Sequence, residues 1–185
     1  MLHAVKGVLV LVAALVLSAF YPAQLGPGVT PMQQMFIMKE IMPDVERLGI
    51  FWDKEMHDEK VLTKIQRAGT SLKVELFLAE VRELSDIAPH FRVLMRKHNI
   101  QALWVVQNDG LIDSSVGKSF LIKNAIKGGI PLFAPSEDWV DEGAFITMKE
   151  QDGKILLVVN KSVADALSLT VPQKYAEHTQ FLAAH

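Results

Sequence analysis

Short apolar runs alternate with helical segments along most of the chain, and this alternation constrains the fold more than any other feature. Four of the runs have the length and apolar content of strands, and a segment with helical spacing separates each from the next. Strands that alternate with helices imply right-handed crossovers and a mainly parallel sheet that is covered on both faces. The predicted strands are 47–52, 72–81, 101–107 and 130–135.

Helix signals lie before, between and after these strands. Thr30 is placed to cap the first helix, with Pro31 in its first turn. Ser85 and Ser136 are candidate caps of later helices. Gly69 suits the residue after the end of the second helix, and Gly128 and Gly129 end the fourth. The predicted helices are 31–42, 53–69, 83–100, 114–129 and 136–143.

The C-terminal part departs from the alternation. Two apolar runs in 144–160 flank Asp152 and Gly153, a dipeptide that favours the tight turn of a hairpin. The residues from Ser162 onward predict one or two helices. The sequence therefore predicts an α/β fold: a single three-layer domain with a mainly parallel sheet of about four strands, helices on both faces, and a C-terminal β-hairpin and helix.

An apolar run of 14 residues, 7–20, follows His3 and Lys6 near the N-terminus. A short basic region before an apolar run of this length is typical of a secretory signal. An uncleaved membrane anchor is the alternative, and both interpretations place the folded part in the periplasm. The predicted division of the chain is a signal peptide or anchor over 1–23, a linker over 24–31 and one folded lobe over 32–185.

Composition and motifs argue against several functional classes. The chain has no cysteine, which excludes disulfides and cysteine nucleophiles. Its net charge is −2 and no dense basic patch stands out, so we expect no nucleic-acid partner. The histidines lack metal-site spacing, and no P-loop, dinucleotide-binding or nucleophile-elbow motif occurs. We therefore predict no metal, no cofactor and no catalytic residues, which means that the protein is not an enzyme.

Polar residues follow the predicted strands at their carboxyl ends, where parallel sheets bind ligands. Trp52 and Asp53 close the first strand, and residues with polar side chains follow the third and fourth strands. We predict a small-molecule site in which Asp53 meets a ligand amine and Trp52 supplies an apolar wall. The side chains expected to hydrogen-bond polar groups of the ligand are Asn108, Asp109 and Ser136.

Each of these residues also has a structural interpretation. Asn108 and Asp109 precede Gly110 in an ordinary turn sequence, and Asp53 can stabilise the N-terminus of the helix that follows it. Trp139 lies near the same predicted edge, where its ring could stack on a ligand or on a second protomer. The sequence leaves both interpretations open.

Several segments resemble the ABC-transporter substrate-binding proteins, from about Val29 to Pro172. The resemblance implies the type I periplasmic-binding fold and an amino-acid-like, small polar or aromatic ligand. It places the ligand-contacting loops at Asp53, Asn108, Asp109 and Ser136. Those proteins have two lobes and roughly twice this length, whereas only one lobe is present here. The segments are 29–53 (VTPMQQMFIMKEIMPDVERLGIFWD), 100–112 (IQALWVVQNDGLI), 128–147 (GGIPLFAPSEDWVDEGAFIT) and 158–173 (VVNKSVADALSLTVPQ).

The N-terminal signal, the single lobe and the C-terminal segment are also similar to small periplasmic YfiR-type regulators. That resemblance implies an alternative function, a periplasmic regulatory or scaffolding subunit that contacts a membrane protein and binds no ligand. Under either function we expect a membrane protein partner, a transporter or a sensor, and a homodimer is an open alternative. The methionines of the first helix have two interpretations, core packing or an adaptable partner surface.

Overall fold

The computed structural model describes residues 28–53, 59–106 and 110–182. The described residues form seven strands in one sheet. In chain order the strands are β1 (Arg47–Asp53), β2 (Glu75–Val81), β3 (Ala102–Val105), β4 (Leu132–Ala134), β5 (Ile146–Gln151), β6 (Lys154–Asn160) and β7 (Thr179–Leu182). The helices are α1 (Pro31–Ile41), α2 (Glu59–Leu72), α3 (Leu84–Arg96), α4 (Ser115–Gly128), α5 (Glu137–Asp141) and α6 (Lys161–Ala166), and a 3-10 helix spans Gln173–His178.

The sheet has the order β2-β1-β3-β4-β5-β6-β7, and its first five strands are parallel. β6 pairs antiparallel with β5, and β7 pairs parallel with β6. The α/β class and the mainly parallel sheet are therefore confirmed. The described sheet has seven strands rather than about four, because the hairpin strands extend the sheet beyond β4 and one more strand follows them.

That last strand, β7, corrects the prediction of a helical C-terminus. The segment from Gln173 forms only a short 3-10 helix before the chain pairs with β6 at residues 179–182. A four-residue strand is too short to show an alternating pattern, and two alanines, which favour helix, follow it in the sequence. Pairing with β6 therefore decides its conformation, and local propensity does not.

Both faces of the centre of the sheet are buried, which explains the unbroken apolar run of the third predicted strand. Trp104 packs in the cluster under α1 and α2, and its neighbours Leu103 and Val105 pack in the cluster under α3 and α4. All three side chains are buried. A strand covered by helices on both faces has no exposed side and so carries no polar alternation.

The first helix begins as predicted. The Thr30 hydroxyl accepts a hydrogen bond from the Gln33 backbone N–H at 3.3 Å, and the Gln33 side chain accepts one from the Thr30 backbone N–H at 2.9 Å. Met35 and Met38 are buried in the core, whereas Met32 is exposed. Core packing is thus confirmed for Met35 and Met38, and a partner surface remains a prediction for Met32. Most of the predicted linker lies outside the described residues.

The predicted cap at Ser85 is wrong. The helix begins at Leu84, and Asp86 supplies the capping oxygen instead. Its Oδ2 accepts hydrogen bonds from the backbone N–H groups of Arg82 and Glu83, at 3.0 and 3.1 Å. These bonds lower the pKa of Asp86, because they favour the charged carboxylate.

The C-terminal segment is attached to α1 through Glu40. Its carboxylate accepts hydrogen bonds from the Lys174 ammonium and the Tyr175 hydroxyl. Burial alone would raise the pKa of Glu40, but the bonds from Lys174 and Tyr175 outweigh it and the pKa is lowered. Burial and the neighbouring Glu40 raise the pKa of Tyr175.

This arrangement predicts a pH dependence of stability. A carboxyl group whose pKa is lower in the folded state stabilises the fold above its unfolded pKa of about 4.3, and this contribution is lost as the pH falls through the folded pKa. We therefore expect Glu40→Gln to flatten the loss of stability on acidification, measured as the urea midpoint between about pH 3 and 6. Glu150→Gln, at an exposed position of β5, is the control. Equal acid slopes in the wild type and Glu40→Gln would contradict the prediction.

Candidate functional site

The carboxyl ends of β1, β3 and β4 lie side by side, because the three strands are parallel neighbours. The chain passes from β1 to β2 on one side and places β3 on the other, so the strand order reverses between β1 and β3. Such a switch point opens a crevice at the carboxyl edge of a sheet. The candidate site is therefore at this edge, where Asp53 ends β1 and Ser136 follows β4.

Asp53 joins the end of β1 to the connection between β3 and α4. Its Oδ2 accepts a hydrogen bond from the backbone N–H of Leu111 at 3.1 Å. The side chain is buried, with 3% of the residue exposed. A buried carboxylate requires hydrogen-bond donors around it, and this backbone group is one of them. Asp53 thus places a hydrogen-bond acceptor in the candidate site and holds the loop that contains Leu111 in position.

A second bond fixes the same loop from α5. The indole Nε1 of Trp139 donates to Asp113 Oδ1 at 2.8 Å. Trp139 is fully buried in the core cluster that α3 and α4 cover. The interpretation in which its ring stacks on a ligand is therefore wrong. The sequence could show that Asp113 belongs to a polar cluster, but not that its partner stands 26 positions further along the chain.

Ser114 caps α4 and also hydrogen-bonds to the loop that precedes this helix. Its hydroxyl accepts a hydrogen bond from the Gly117 backbone N–H at 3.1 Å and donates one to the Leu111 carbonyl at 2.6 Å. Ser114 is half-buried and both of these contacts are local. Its role in the described structure is that of a helix cap.

Gly117 lets the first turn of α4 approach this loop. A Cβ at Gly117 would lie 2.8 Å from the carbonyl oxygens of Leu111 and Ile112, closer than a carbon atom can come without a shift of the backbone. At Gly128, in the same helix, the nearest atom would be the flexible end of Met95 at 3.0 Å. The two glycines therefore form a matched pair.

We expect Gly117→Ala to destabilise the protein by about 1–3 kcal/mol, because the loop must move to accommodate the methyl group. Gly128→Ala should change stability by less than about 1 kcal/mol, since a side-chain terminus can move at little cost. Urea unfolding of both variants measures the difference. Equal stability of Gly117→Ala and Gly128→Ala would contradict this prediction, because it would mean that the loop moves at little cost in free energy.

Two lysines hold α5 in place beside the site. Lys118 Nζ lies 2.6 Å from Glu142 Oε1, and the Lys149 ammonium pairs with the Glu137 carboxylate. The hydrogen bond to Glu142 raises the pKa of Lys118, and the nearby carboxylates act in the same direction. These pairs fix the short helix that begins directly after Ser136.

The structure describes three of the five predicted site residues, and two of these three lie at this edge. Asp53 lies at the end of β1, and Ser136 is half-buried at the N-cap position of α5. Trp52 is 4% exposed and packs in the cluster under α1 and α2. The other two, Asn108 and Asp109, lie outside the described residues.

The described residues hold neither a candidate metal cluster nor a helix that could span a membrane. Within 28–53, 59–106 and 110–182, no three histidine or acidic side chains come close enough to share a metal ion. In the same ranges, no helix has the length and the apolar content needed to cross a membrane.

Sequence comparison identifies the family. The model of the ABC transporter substrate binding protein family matches residues 10–167. The chain belongs to this family, and the resemblance found in its sequence is confirmed. A comparison with curated proteins gives no match.

Solved structures share the fold at low sequence identity. They include the ABC domain of Streptococcus pneumonia in complex with L-Trp (TM-score 0.70, 16% identity, 82% of this chain and 62% of that chain). A conserved domain protein of Vibrio cholerae matches with TM-score 0.68 and 17% identity, over 82% of this chain and 59% of that chain. A ligand-free, open substrate-binding protein of Clostridium difficile matches with TM-score 0.68 and 16% identity, over 85% and 61%. The chain thus spans about three fifths of the length of these structures.

Proposed function

We propose that the protein is an extracytoplasmic small-molecule binding protein, and that its ligand occupies the carboxyl edge of the sheet. The observation that carries the proposal is the buried Asp53 carboxylate at the switch point between β1 and β3, in a chain of the substrate-binding family. Parallel sheets bind ligands at such points. A binding function, and not catalysis, is the function that membership of the substrate-binding family supports.

In this proposal Asp53 meets a ligand amine, and Ser136 hydrogen-bonds a polar group of the ligand. The proposed apolar wall is Trp52, the residue before Asp53 in β1, and Asn108 and Asp109 complete the proposed set of polar contacts. An amine and polar groups together describe an amino-acid-like ligand, which includes aromatic amino acids. The complex of a structurally similar ABC domain with L-Trp makes this compound the first ligand to test.

The proposed location is the periplasm, reached through the signal or anchor at residues 1–23. Proteins of this family act outside the cytoplasm and interact with a transporter, so we propose a membrane transporter or sensor as the partner. A single lobe offers a shallow half-site, and tight binding of a small ligand needs burial on most sides. A homodimer, or the partner itself, would complete the site.

The alternative function is the regulatory or scaffolding subunit that contacts a membrane protein without a ligand. The observation that favours it is the exposed Met32 of the methionine-rich helix α1, a side chain suited to an adaptable partner surface. A stable complex with a membrane protein, formed equally by the wild type and by Asp53→Ala, would support this alternative.

Two substitutions at Asp53 test the proposed ligand contact. Asp53→Asn keeps an oxygen that can accept the hydrogen bond from Leu111, but it removes the negative charge. If Asp53 meets an amine, we expect both Asp53→Asn and Asp53→Ala to weaken amino-acid binding at least about tenfold, or 1.4 kcal/mol. Equilibrium dialysis with radiolabelled L-amino acids, L-Trp first, measures the affinity.

The comparison of the two variants also tests the role of the loop. If only Asp53→Ala loses affinity, Asp53 acts by positioning the loop at Leu111 and not by contacting the amine. Wild-type affinity in both variants would refute the proposed site. Gly128→Ala, which lies away from this edge, is the control.

A further inference from the structure

Two large apolar side chains stand exposed on the outer face of α1. Met32 is 41% exposed and Phe36 is 47% exposed. They are four residues apart, so they are neighbours on one face of the helix. The opposite face of α1 contributes Met35 and Met38 to the core. The exposed pair is therefore outside the packing of the described fold.

A cation lies directly beside this pair. Lys174 Nζ is 5.6 Å from the centre of the Phe36 ring, and the same ammonium bonds to Glu40. Met32, Phe36 and Lys174 form what we call the α1 surface. Apolar side chains flanked by a lysine are typical of protein surfaces that rest in the interface of a lipid bilayer.

The sequence places an apolar run close to the α1 surface. Residues 7–20 are apolar, and α1 begins at Pro31. Twelve positions separate Phe20 from Met32, which limits their distance to about 40 Å even in a fully extended chain. If the run is held in a membrane, the α1 surface must lie within this distance of the point where the chain leaves the bilayer.

We propose that residues 7–20 remain in the membrane and that the α1 surface lies against the bilayer. The occupant of this surface is thus lipid, with Met32 and Phe36 in the interface and Lys174 near anionic headgroups.

The absence of cysteine permits a direct test. Phe36→Cys and Val93→Cys each give one site for a nitroxide spin label in the full chain. Val93 is the matched control, because it is 46% exposed and lies on α3, which covers the other face of the sheet. The labelled chains are reconstituted into vesicles of phosphatidylethanolamine and phosphatidylglycerol. The collision rates of the label with oxygen and with a water-soluble nickel chelate are then measured.

We expect the label at position 36 to collide more with oxygen and less with the chelate, and the label at position 93 to remain in water. Equal exposure of both labels to the chelate would overturn the proposal. A label at position 36 that is shielded from both reagents would also overturn it, because the surface would then be covered by residues 7–20 or by a second copy. Loss of residues 1–23 from the membrane-extracted chain, measured by intact mass, would overturn it as well. None of these outcomes depends on ligand binding, which the Asp53 variants test separately.

Discussion

The melting temperature of the protein is expected to rise by about 5–10 °C when a ligand of the carboxyl edge is present at 100 times its Kd. Binding to the folded state alone adds about 2.7 kcal/mol at that concentration. In a chain of 185 residues, 1 kcal/mol corresponds to roughly 2–4 °C. Differential scanning calorimetry reports unfolding without interference from aromatic ligands such as L-Trp.

The screen uses amino acids, small organic acids, purines and aromatic metabolites. A compound that raises the melting temperature of the wild type should raise that of Asp53→Ala much less, and should act on Gly128→Ala as on the wild type. If no compound in these classes shifts the wild type, the binding function is contradicted and the regulatory alternative becomes the better account.

Trp104→Ala is expected to destabilise the fold by about 3–5 kcal/mol. The Trp104 side chain is buried at the centre of the sheet, between β1 and β4, and packs in the cluster that α1 and α2 cover. Its removal leaves a cavity that neighbouring strands cannot fill by a local shift. This loss is a large fraction of the total stability of a domain, which is typically about 5–15 kcal/mol. Urea unfolding at 25 °C measures it.

Val116→Ala is the control for Trp104→Ala, since Val116 is an exposed residue of α4. Its effect should lie within about 0.5 kcal/mol. A loss below about 1.5 kcal/mol for Trp104→Ala would mean that the cluster under α1 and α2 closes around the missing ring, contrary to the close packing inferred for it.

The parallel part of the fold was predictable because its strands are buried on both faces. Leu103 and Trp104 are adjacent in β3 and so point to opposite faces of the sheet. Because both are apolar, they indicate that helices cover both sides of the strand. The same reasoning could not find β7, whose four residues gain their conformation from pairing with β6. The misplaced cap at Ser85 has a different origin. The helix begins one residue before Ser85, and Asp86 in its first turn accepts from the backbone N–H groups of Arg82 and Glu83, which precede the helix.

The position of the candidate site was predictable, but its internal contacts were not. The alternation of strands with helices and the polar residues after the strands are sequence properties, and they indicate the edge where Asp53 and Ser136 lie. The bonds from Asp53 to Leu111 and from Trp139 to Asp113 join residues that are 58 and 26 positions apart. Only the folded chain brings such partners together, so sequence patterns carry no local signal for them.

The hydrogen bonds from Leu111 to Asp53 and from Trp139 to Asp113 also reduce the conformational entropy that is lost when a ligand binds. Leu111 and Asp113, in the described part of the connection between β3 and α4, are held in position before any ligand arrives. A ligand that enters there does not need to order this part of the chain, so less of its interaction energy is spent on restricting motion. Calorimetry should therefore record a heat-capacity change that matches the apolar surface of the ligand alone, without the larger change that accompanies folding of a segment on binding.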